Sequence, residues 1–351
     1  MIRPYLTLYL VETMTILNND FLAATLANQD KMAPFQFEFP SGTGFVEGTG
    51  ILRLEPKQDA SISLVLSVGV HGNETGPIEL VNQLVMSILD GRISLSVRLL
   101  VLIGNPVAAN KATRFCEVNL NRLFSGAWKN YDGFEAKRAQ RLEKAISDFY
   151  SQAKEGATQT RLHYDLHTAI RGSMHEKFVV YPFVENAIYN QQQLAFLAAS
   201  GIDAVLLSHQ STTTFSYYSY ATHGAHAFTV ELGKVQPFGE NDLSNFAALE
   251  DSLSLLLENG VLAQASMSEM RIFTVLDSLV KDDDSYKLGI EADVKNFTQF
   301  EQGYRLAYSE KSEYLVQQTG DAIVFPNTNL PIGQRAGLMV RPVALGDLKL
   351  N

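Results

Sequence analysis

The chain has 351 residues, of which 46% are hydrophobic and 19% are charged, with a formal net charge of −10. This length and composition suffice for one large domain or two unequal domains with buried cores. The acidic balance and the lack of a basic stripe argue against nucleic acid and anionic membranes as partners, because binding phosphates requires clustered cationic side chains.

The N-terminal residues predict neither a membrane anchor nor a cleaved signal peptide. The apolar stretch 5–11 is too short to span a bilayer, and no small-residue cleavage pattern follows it. Met14 precedes a more ordinary opening, so residues 1–13 are predicted to be an extension. The single cysteine, Cys116, excludes an intrachain disulfide and fits a reducing compartment, which favours a cytoplasmic protein. No pattern specifies an oligomeric state.

The first half of the chain predicts an α/β fold. Residues 35–54 alternate aromatic, polar and glycine residues, a pattern typical of antiparallel edge strands. The apolar run at 64–70 then predicts a strand that is buried on both faces. Apolar residues at helical spacing over 75–89 predict a helix, and 97–103 predicts a second buried strand. Strand, helix and strand in this order form a right-handed parallel unit.

Two candidate metal ligands follow the first buried strand. His71 and Glu74 lie three residues apart in the turn after this strand. Gly69 and Gly72 give the backbone conformational freedom there. Taken singly, such a histidine is more typical of a hydrogen-bonding residue, and such a glutamate of the first turn of a helix. Together at the end of a buried strand, the two residues favour a shared metal ion.

A third candidate ligand ends another apolar strand, at 162–167. His167 lies 93 residues after Glu74, counting from 74 to 167. Two ligands from one strand end and a distant third leave the fourth position of a catalytic zinc open for water. His163 and His175 are interpreted as structural or supporting residues. The hypothesis is a zinc site formed by His71, Glu74 and His167.

Polar residues that follow a strand predict a substrate site. The loop 105–124 contains Arg114, Asn119, Asn121 and Arg122. Loops at the carboxyl ends of sheet strands bind ligands in open α/β proteins, and arginine binds carboxylates through two parallel hydrogen bonds. The alternative is a solvated loop with surface arginines.

A carboxylate also interrupts the apolar strand at 225–232. Glu231 either pairs with a buried base or acts as one, because desolvation raises the pKa of a carboxyl group. From about residue 270 the sequence changes to short alternating runs that predict a small antiparallel barrel or sandwich. The predicted domains are a catalytic α/β domain at 14–268 and a β domain at 269–351.

These motifs together resemble the succinylglutamate desuccinylase/aspartoacylase family of the zinc carboxypeptidase superfamily. The C-terminal stretch 333–342, GQRAGLMVRP, extends the resemblance into the second domain. The forms HGNE, DLHTA and ELGKVQPFG are most similar to the succinylglutamate branch. The other matching stretches are GVHGNETGPIEL at 69–80, NPVAANKATRFCEVNLNRLF at 105–124, DLHTAIRGS at 165–173 and AHAFTVELGKVQPFG at 225–239.

The resemblance implies a largely parallel mixed sheet flanked by helices, with a smaller all-β C-terminal domain that covers the active-site cleft. It also implies one Zn²⁺ per subunit, held by His71, Glu74 and His167. Glu231 is then the general base, and Arg114 stabilises the negative charge that develops on the carbonyl oxygen.

The remaining implied roles concern binding of a small anionic substrate. Asn121 and Arg122 correspond to the pair that holds the substrate's α-carboxylate, and Arg171, whose correspondence is looser, is interpreted as a contact for a further carboxylate. The implied reaction is zinc-dependent hydrolysis of N-succinyl-L-glutamate to succinate and L-glutamate, in arginine catabolism. The alternatives are deacylation of another N-acyl amino acid such as N-acetylaspartate, a purely structural zinc, or a non-catalytic ligand-binding relative.

Overall fold

The computed structural model describes residues 16–152 and 159–351. The extension predicted at residues 1–13 lies outside these residues. Within them, no helix combines the length and the hydrophobicity that crossing a bilayer would require.

The described residues form α-helices, short 3₁₀-helices and strands. The α-helices are α1 Phe21–Ala27, α2 Thr75–Leu89, α3 Pro106–Asn110, α4 Phe134–Ser151, α5 Gln191–Ala199, α6 Phe215–His223 and α7 Ala247–Asn259. The 3₁₀-helices are Leu17–Asn19, Leu120–Arg122, Ala127–Asn130, Leu243–Phe246 and Leu345–Asp347. The strands are β1 Phe35–Phe39, β2 Gly42–Gly48, β3 Ile51–Pro56, β4 Ile62–Val68, β5 Arg98–Ile103, β6 Thr160–Ala169, β7 Lys177–Tyr181, β8 Ile188–Tyr189, β9 Ala204–Leu207, β10 His226–Lys234, β11 Arg271–Val280, β12 Lys287–Leu288, β13 Thr298–Gln299, β14 Arg305–Tyr308, β15 Glu313–Leu315, β16 Ala322–Val324, β17 Arg335–Val343 and β18 Lys349–Leu350.

One large mixed sheet organises the molecule. Its described strands follow the order β1-β2-β3-β5-β4-β6-β10-β7-β9-β11-β17-β16-β13. The central strands β5, β4, β6 and β10 are parallel, whereas β7 is antiparallel to β10 and parallel to β9. β1, β2 and β3 form the predicted antiparallel edge. The predicted fold class, a largely parallel mixed sheet flanked by helices, is confirmed.

Helices cover both faces of the central strands. The apolar residues of α2, α5 and α7 join one core cluster with Leu64 and Leu162, and those of α4 and α6 join another with Val65. Because side chains alternate along a strand, residues 163, 165 and 167 of β6 face the side of α4 and α6. The helix predicted at 75–89 has the same bounds as α2.

The C-terminal region is built from strands, and it extends the same sheet. β11 pairs in parallel with β9 and antiparallel with β17, so the sheet continues past residue 268. A separate three-stranded sheet contains β12, β14 and β15. The smaller all-β region after the α/β part is therefore confirmed, while the boundary at 268 stays a prediction.

Two segments contain helices that the sequence did not predict. No conformation was predicted for the aromatic segment 212–220, and its residues 215–220 belong to α6. The stretch 105–124, predicted to be a loop, contains α3 and the 3₁₀-helix Leu120–Arg122. Side chains of Asn105 and Asn119 cap these two short helices.

Candidate metal and active site

The site lies where three parallel strands end side by side. β6 lies between β4 and β10, and their carboxyl ends are at the same edge of the sheet. Glu231 of β10 is the direct register partner of His167 on β6. The buried strands therefore bring together residues that are far apart in the sequence.

Two glycines shape the turn between β4 and α2. Gly69 has a φ of +61°, a conformation that costs other residues energy. Gly72 has no such torsion, but an added Cβ atom would lie 2.2 Å from the backbone of Ala108 in α3. The turn can therefore pass directly against α3, and His71 and Glu74 are held at the sheet edge.

His71, Glu74 and His167 form a compact buried cluster. Each offers a ligand atom within 4.8 Å of the others. The two oxygens of Glu74 divide between the imidazoles: Oε1 lies 2.9 Å from Nδ1 of His71, and Oε2 lies 2.9 Å from Nδ1 of His167. The three side chains predicted from sequence as one group thus converge.

The donor set fits a divalent cation. Nδ1 of His71 is buried and has no hydrogen-bond partner among the described residues, because its short contact with Glu74 lacks hydrogen-bond geometry. The Nε2 atom of His71 contacts Oδ1 of Asn119 at 2.9 Å, and that of His167 contacts Oδ2 of Asp165 at 2.9 Å. Both oxygens accept hydrogen bonds, so each ring directs its Nδ1 atom towards Glu74, where a metal ion would bind in place of any proton on that nitrogen.

The electrostatics of the cluster favour positive charge between the carboxylates. Burial lowers the pKa of His71 to about 4, so this imidazole is neutral at pH 7. Burial alone would also lower the pKa of His167, but the Asp165 and Glu74 carboxylates hold it well above its usual value. Burial would raise the pKa of Glu74, yet the two histidines hold it well below. Such a site attracts a cation.

Glu231 is a buried carboxylate beside this cluster. The residue is 8% exposed, and its Oε2 atom has no hydrogen-bond partner within the described part of the chain. Burial raises the pKa of Glu231 to about 7. A carboxylate with this pKa can both accept and release a proton near neutral pH.

The loop that carries Arg114 contacts the metal cluster. Nη1 of Arg114 donates to Oε1 of Glu74 at 2.7 Å, and its carbonyl accepts from the backbone N–H of Gly72 at 3.1 Å. The Arg114 side chain is 31% exposed, whereas that of Glu74 is 2% exposed. The positive charge of Arg114 therefore lies between the buried cluster and solvent.

Asn119 was noticed in the sequence but not assigned to the site. Its Oδ1 atom contacts His71 and also accepts from the backbone N–H of Asn121 at 3.0 Å. One amide thus links a candidate metal ligand to the adjacent 3₁₀-helix. The available signal was its position within the asparagine-rich motif NLNR.

Asn121 and Arg122 lie on that 3₁₀-helix, with different surroundings. Asn121 is buried, and its Oδ1 atom accepts from the backbone N–H of Phe215 at 3.0 Å. Arg122 is exposed as a residue, but surrounding protein and the charges of Arg335 and Arg114 lower its pKa to about 10. The Arg122 guanidinium therefore lies near two other guanidinium groups, those of Arg335 and Arg114.

Arg335 is a further basic residue that the sequence reasoning missed. It begins β17 in the C-terminal region, and its charge acts on Arg122. Among the described residues its guanidinium has no acidic partner, and burial lowers its pKa. The available signal was its place in the stretch GQRAGLMVRP. Two unneutralised guanidinium groups from different parts of the chain thus lie within electrostatic range of each other.

Arg171 has a different environment. Its Nη1 atom donates to the backbone carbonyl of Ala292, and the adjoining backbone of Gly172 and Met174 is bonded to Asn296. The segment that carries Arg171 is therefore attached to the C-terminal region. This contact leaves the predicted role in carboxylate binding as a prediction.

Comparison with protein families assigns both parts of the chain. Residues 60–257 match the succinylglutamate desuccinylase/aspartoacylase catalytic domain. Residues 268–343 match the AstE/AspA barrel-sandwich hybrid domain of that family. Together the two matches cover most of the sequence, including every candidate site residue named above.

Individual relatives agree with this assignment. A succinylglutamate desuccinylase from Shewanella sp. strain MR-7 is 42% identical over 340 residues, which are 95% of this chain and 98% of the relative. One from Pseudoalteromonas atlantica is 44% identical over 302 residues, or 84% of this chain and 86% of the relative.

A solved structure shares the complete fold. The succinylglutamate desuccinylase from Chromobacterium violaceum has a TM-score of 0.82 and 37% identity, and the match covers 93% of this chain and 98% of that one. The architecture, the converging His–Glu–His cluster and both family matches lead to one assignment. The chain belongs to the succinylglutamate desuccinylase/aspartoacylase family.

Proposed function

We propose that the protein hydrolyses the amide bond of N-succinyl-L-glutamate and releases succinate and L-glutamate. The observation that carries this proposal is the buried His71–Glu74–His167 cluster with Glu231 beside it in the sheet. Relatives that carry the name succinylglutamate desuccinylase over nearly the full chain support the choice of substrate.

The proposed cofactor is one Zn²⁺, held by His71, Glu74 and His167. Two imidazole nitrogens and a carboxylate are a common ligand set for catalytic zinc, with the fourth position left for water or substrate. When bound there, Zn²⁺ lowers the pKa of water and polarises an amide carbonyl. Among residues 16–152 and 159–351, the cluster has no fourth protein donor, and this speaks against a purely structural metal.

Glu231 is proposed to move the proton that the reaction requires. Its ionised carboxylate accepts a proton from the attacking water as the new C–O bond forms. It then delivers this proton to the amide nitrogen as the C–N bond breaks, so that glutamate leaves as an amine. A pKa near 7 suits both steps, because the group is neither a strong acid nor a strong base at neutral pH.

Arg114 is proposed to stabilise the developing charge. As water adds to the carbonyl, negative charge grows on the carbonyl oxygen, and a fixed guanidinium beside it lowers the energy of that state. The contact with Glu74 holds Arg114 close to the proposed reaction centre.

Arg122 and Arg335 are proposed to bind substrate carboxylates. N-succinylglutamate carries three carboxylates, and these guanidinium groups have no acidic partner among the described residues. Asn121 and Arg122 would hold the α-carboxylate, as the family resemblance implies. Arg335 would hold a second one, and Arg171 remains a proposed contact for a further carboxylate.

The C-terminal β domain, proposed at 269–351, would then cover the cleft of the catalytic domain, proposed at 14–268. Arg335 and the segment around Ala292 both come from this region, and they lie near Arg122 and Arg171 respectively. A small anionic N-acyl amino acid is the proposed partner, in the cytoplasm.

An assay of two substrates tests the proposed function. We expect the zinc-loaded protein to release glutamate from N-succinylglutamate at least tenfold faster than it releases aspartate from N-acetylaspartate. A chelator should abolish the activity, and added Zn²⁺ should restore it. Faster turnover of N-acetylaspartate would favour the alternative deacylase, and no turnover of either would favour a non-catalytic relative.

A further inference from the structure

A series of hydrogen-bonded, buried polar side chains extends from His167 into the protein interior; we call it the hydrogen-bond series. Asp165 Oδ2 contacts His167 Nε2 at 2.9 Å, and Ser67 Oγ donates to Asp165 Oδ1 at 2.5 Å. The same Ser67 Oγ contacts His163 Nε2 at 2.7 Å, and His163 Nδ1 contacts Ser219 Oγ at 2.7 Å. Asp165, Ser67, His163 and Ser219 are all fully buried.

The protons in the hydrogen-bond series have only one consistent arrangement. The hydroxyl of Ser67 has a single hydrogen, and it donates that hydrogen to Oδ1 of Asp165. His163 Nε2 must then donate to Ser67. Burial lowers the pKa of His163 to about 4, so the ring is neutral and its Nδ1 accepts from Ser219.

This arrangement determines which nitrogen of His167 is available to a metal ion. Since every donor in the hydrogen-bond series is directed towards Asp165, the second oxygen of that carboxylate is left to accept from Nε2 of His167. The Nδ1 atom of His167, which faces Oε2 of Glu74 at 2.9 Å, is then the nitrogen that a metal ion would bind. Partners of this kind orient metal-binding imidazoles and increase their basicity.

The surroundings of His163 do not themselves require a polar residue. Its ring packs edge-on against Phe215 at 5.0 Å, and its neighbours across the sheet are Val65 and Ala227. An apolar side chain would suit this environment without two polar atoms that need partners. The hydrogen bonds to Ser67 and Ser219 are therefore the distinctive contribution of His163.

Helix α6 connects the hydrogen-bond series to the segment 105–124, which carries the candidate substrate residues. Ser219 lies in the second turn of α6, while the backbone N–H of Phe215 at its start donates to Asn121. The position of one helix therefore affects both a candidate metal ligand and a candidate substrate contact.

We propose that His163 and Ser219 are positioning residues that orient His167 for metal binding through Ser67 and Asp165. The inference rests on the proposed function, since it takes these ligands to hold Zn²⁺. Ser219 keeps His163 in the tautomer that donates to Ser67. Without it, His163 can adopt the other tautomer and accept the Ser67 hydrogen that Asp165 requires.

Zinc affinity of the holoenzyme, measured by competition with a chelator, tests this inference. We expect His163→Leu to weaken zinc binding by about 10- to 100-fold, the range typical of residues that support metal ligands. Ser219→Ala should weaken it by a smaller factor of at least about threefold, since Ser67 and Asp165 remain. His163→Gln, whose amide can donate and accept, should recover part of the affinity.

The matched control is Ser216→Ala. Ser216 is also a buried serine of α6, but its hydroxyl bonds to Thr229, which does not belong to the hydrogen-bond series. It should keep wild-type zinc affinity, and thermal unfolding of each metal-free variant reports any general loss of stability.

The outcomes separate the inference from the proposed function. Wild-type zinc affinity in folded Ser219→Ala and His163→Leu, with active wild-type protein, would overturn the inference alone; Ser219→Ala decides the matter if His163→Leu does not fold. A wild-type protein that neither binds zinc nor cleaves N-succinylglutamate would remove the proposed function and the inference with it.

Discussion

Glu231→Gln should lower kcat for N-succinylglutamate by about 10²- to 10⁴-fold, the usual contribution of a positioned proton-transfer group. Glutamine keeps the size of the side chain but cannot accept a proton from water. Because Glu231 is not among the three clustered ligands, zinc content and KM should remain close to the wild-type values. Steady-state kinetics on variants of verified metal content measure the effect.

The pH profile gives a second reading of the same variant. Glu231 acts as a base only when ionised, so wild-type kcat/KM should fall as pH decreases through the pKa of this group. Burial raises that pKa to about 7, and a nearby dication would lower it again, so the acidic limb should lie at or below pH 7. The residual activity of Glu231→Gln should lack this limb. A variant within threefold of the wild-type kcat, or one that keeps the limb, would exclude Glu231 as the base.

Arg335→Gln should lower kcat/KM for N-succinylglutamate by about 10- to 100-fold, the effect of losing a charge-assisted hydrogen bond. The loss should depend on which carboxylate the substrate retains. We expect it to be nearly absent with one of two analogues that each replace a single carboxylate by an amide, either N-succinylglutamine or the glutamate derivative whose acyl carboxylate is an amide. The analogue that is insensitive to Arg335 identifies the carboxylate that this residue binds.

Arg171→Gln is the comparison for this experiment. Arg171 already donates to the Ala292 carbonyl, so its substitution should alter the attachment of the C-terminal region more than substrate discrimination. Equal losses on all three substrates in Arg335→Gln would show that Arg335 supports the fold of the cleft and not recognition of a carboxylate.

The sequence predicted the buried strands and the grouping of His71, Glu74 and His167 because local patterns determine them, although β6 and β10 end at residues 169 and 234 and not at 167 and 232. Continuous apolar runs identify strands that are buried on both faces, and parallel strands place their carboxyl ends at one edge. His71, Glu74 and His167 could therefore be grouped before their distances were known. The helical spacing at 75–89 gave the bounds of α2 for the same reason.

Features that depend on distant contacts were not predicted. Helix α6 is rich in aromatic residues and serines without a clear apolar stripe, and its polar side chains are satisfied by His163 and Thr229 from other elements. Arg335 lies near Arg122 only because β17 pairs with β11, which adds to the main sheet beside β9. Pairing of this kind depends on register between segments, and local periodicity does not encode it.

Anomalous diffraction at the zinc absorption edge, from crystals of the zinc-loaded protein, tests the central claim most directly. We expect one strong peak within about 2.0–2.2 Å of Nδ1 of His71, Nδ1 of His167 and a carboxylate oxygen of Glu74, with no fourth protein ligand. A peak elsewhere, imidazoles that turn away from it, or a fourth protein donor that completes the coordination would contradict this account of amide hydrolysis.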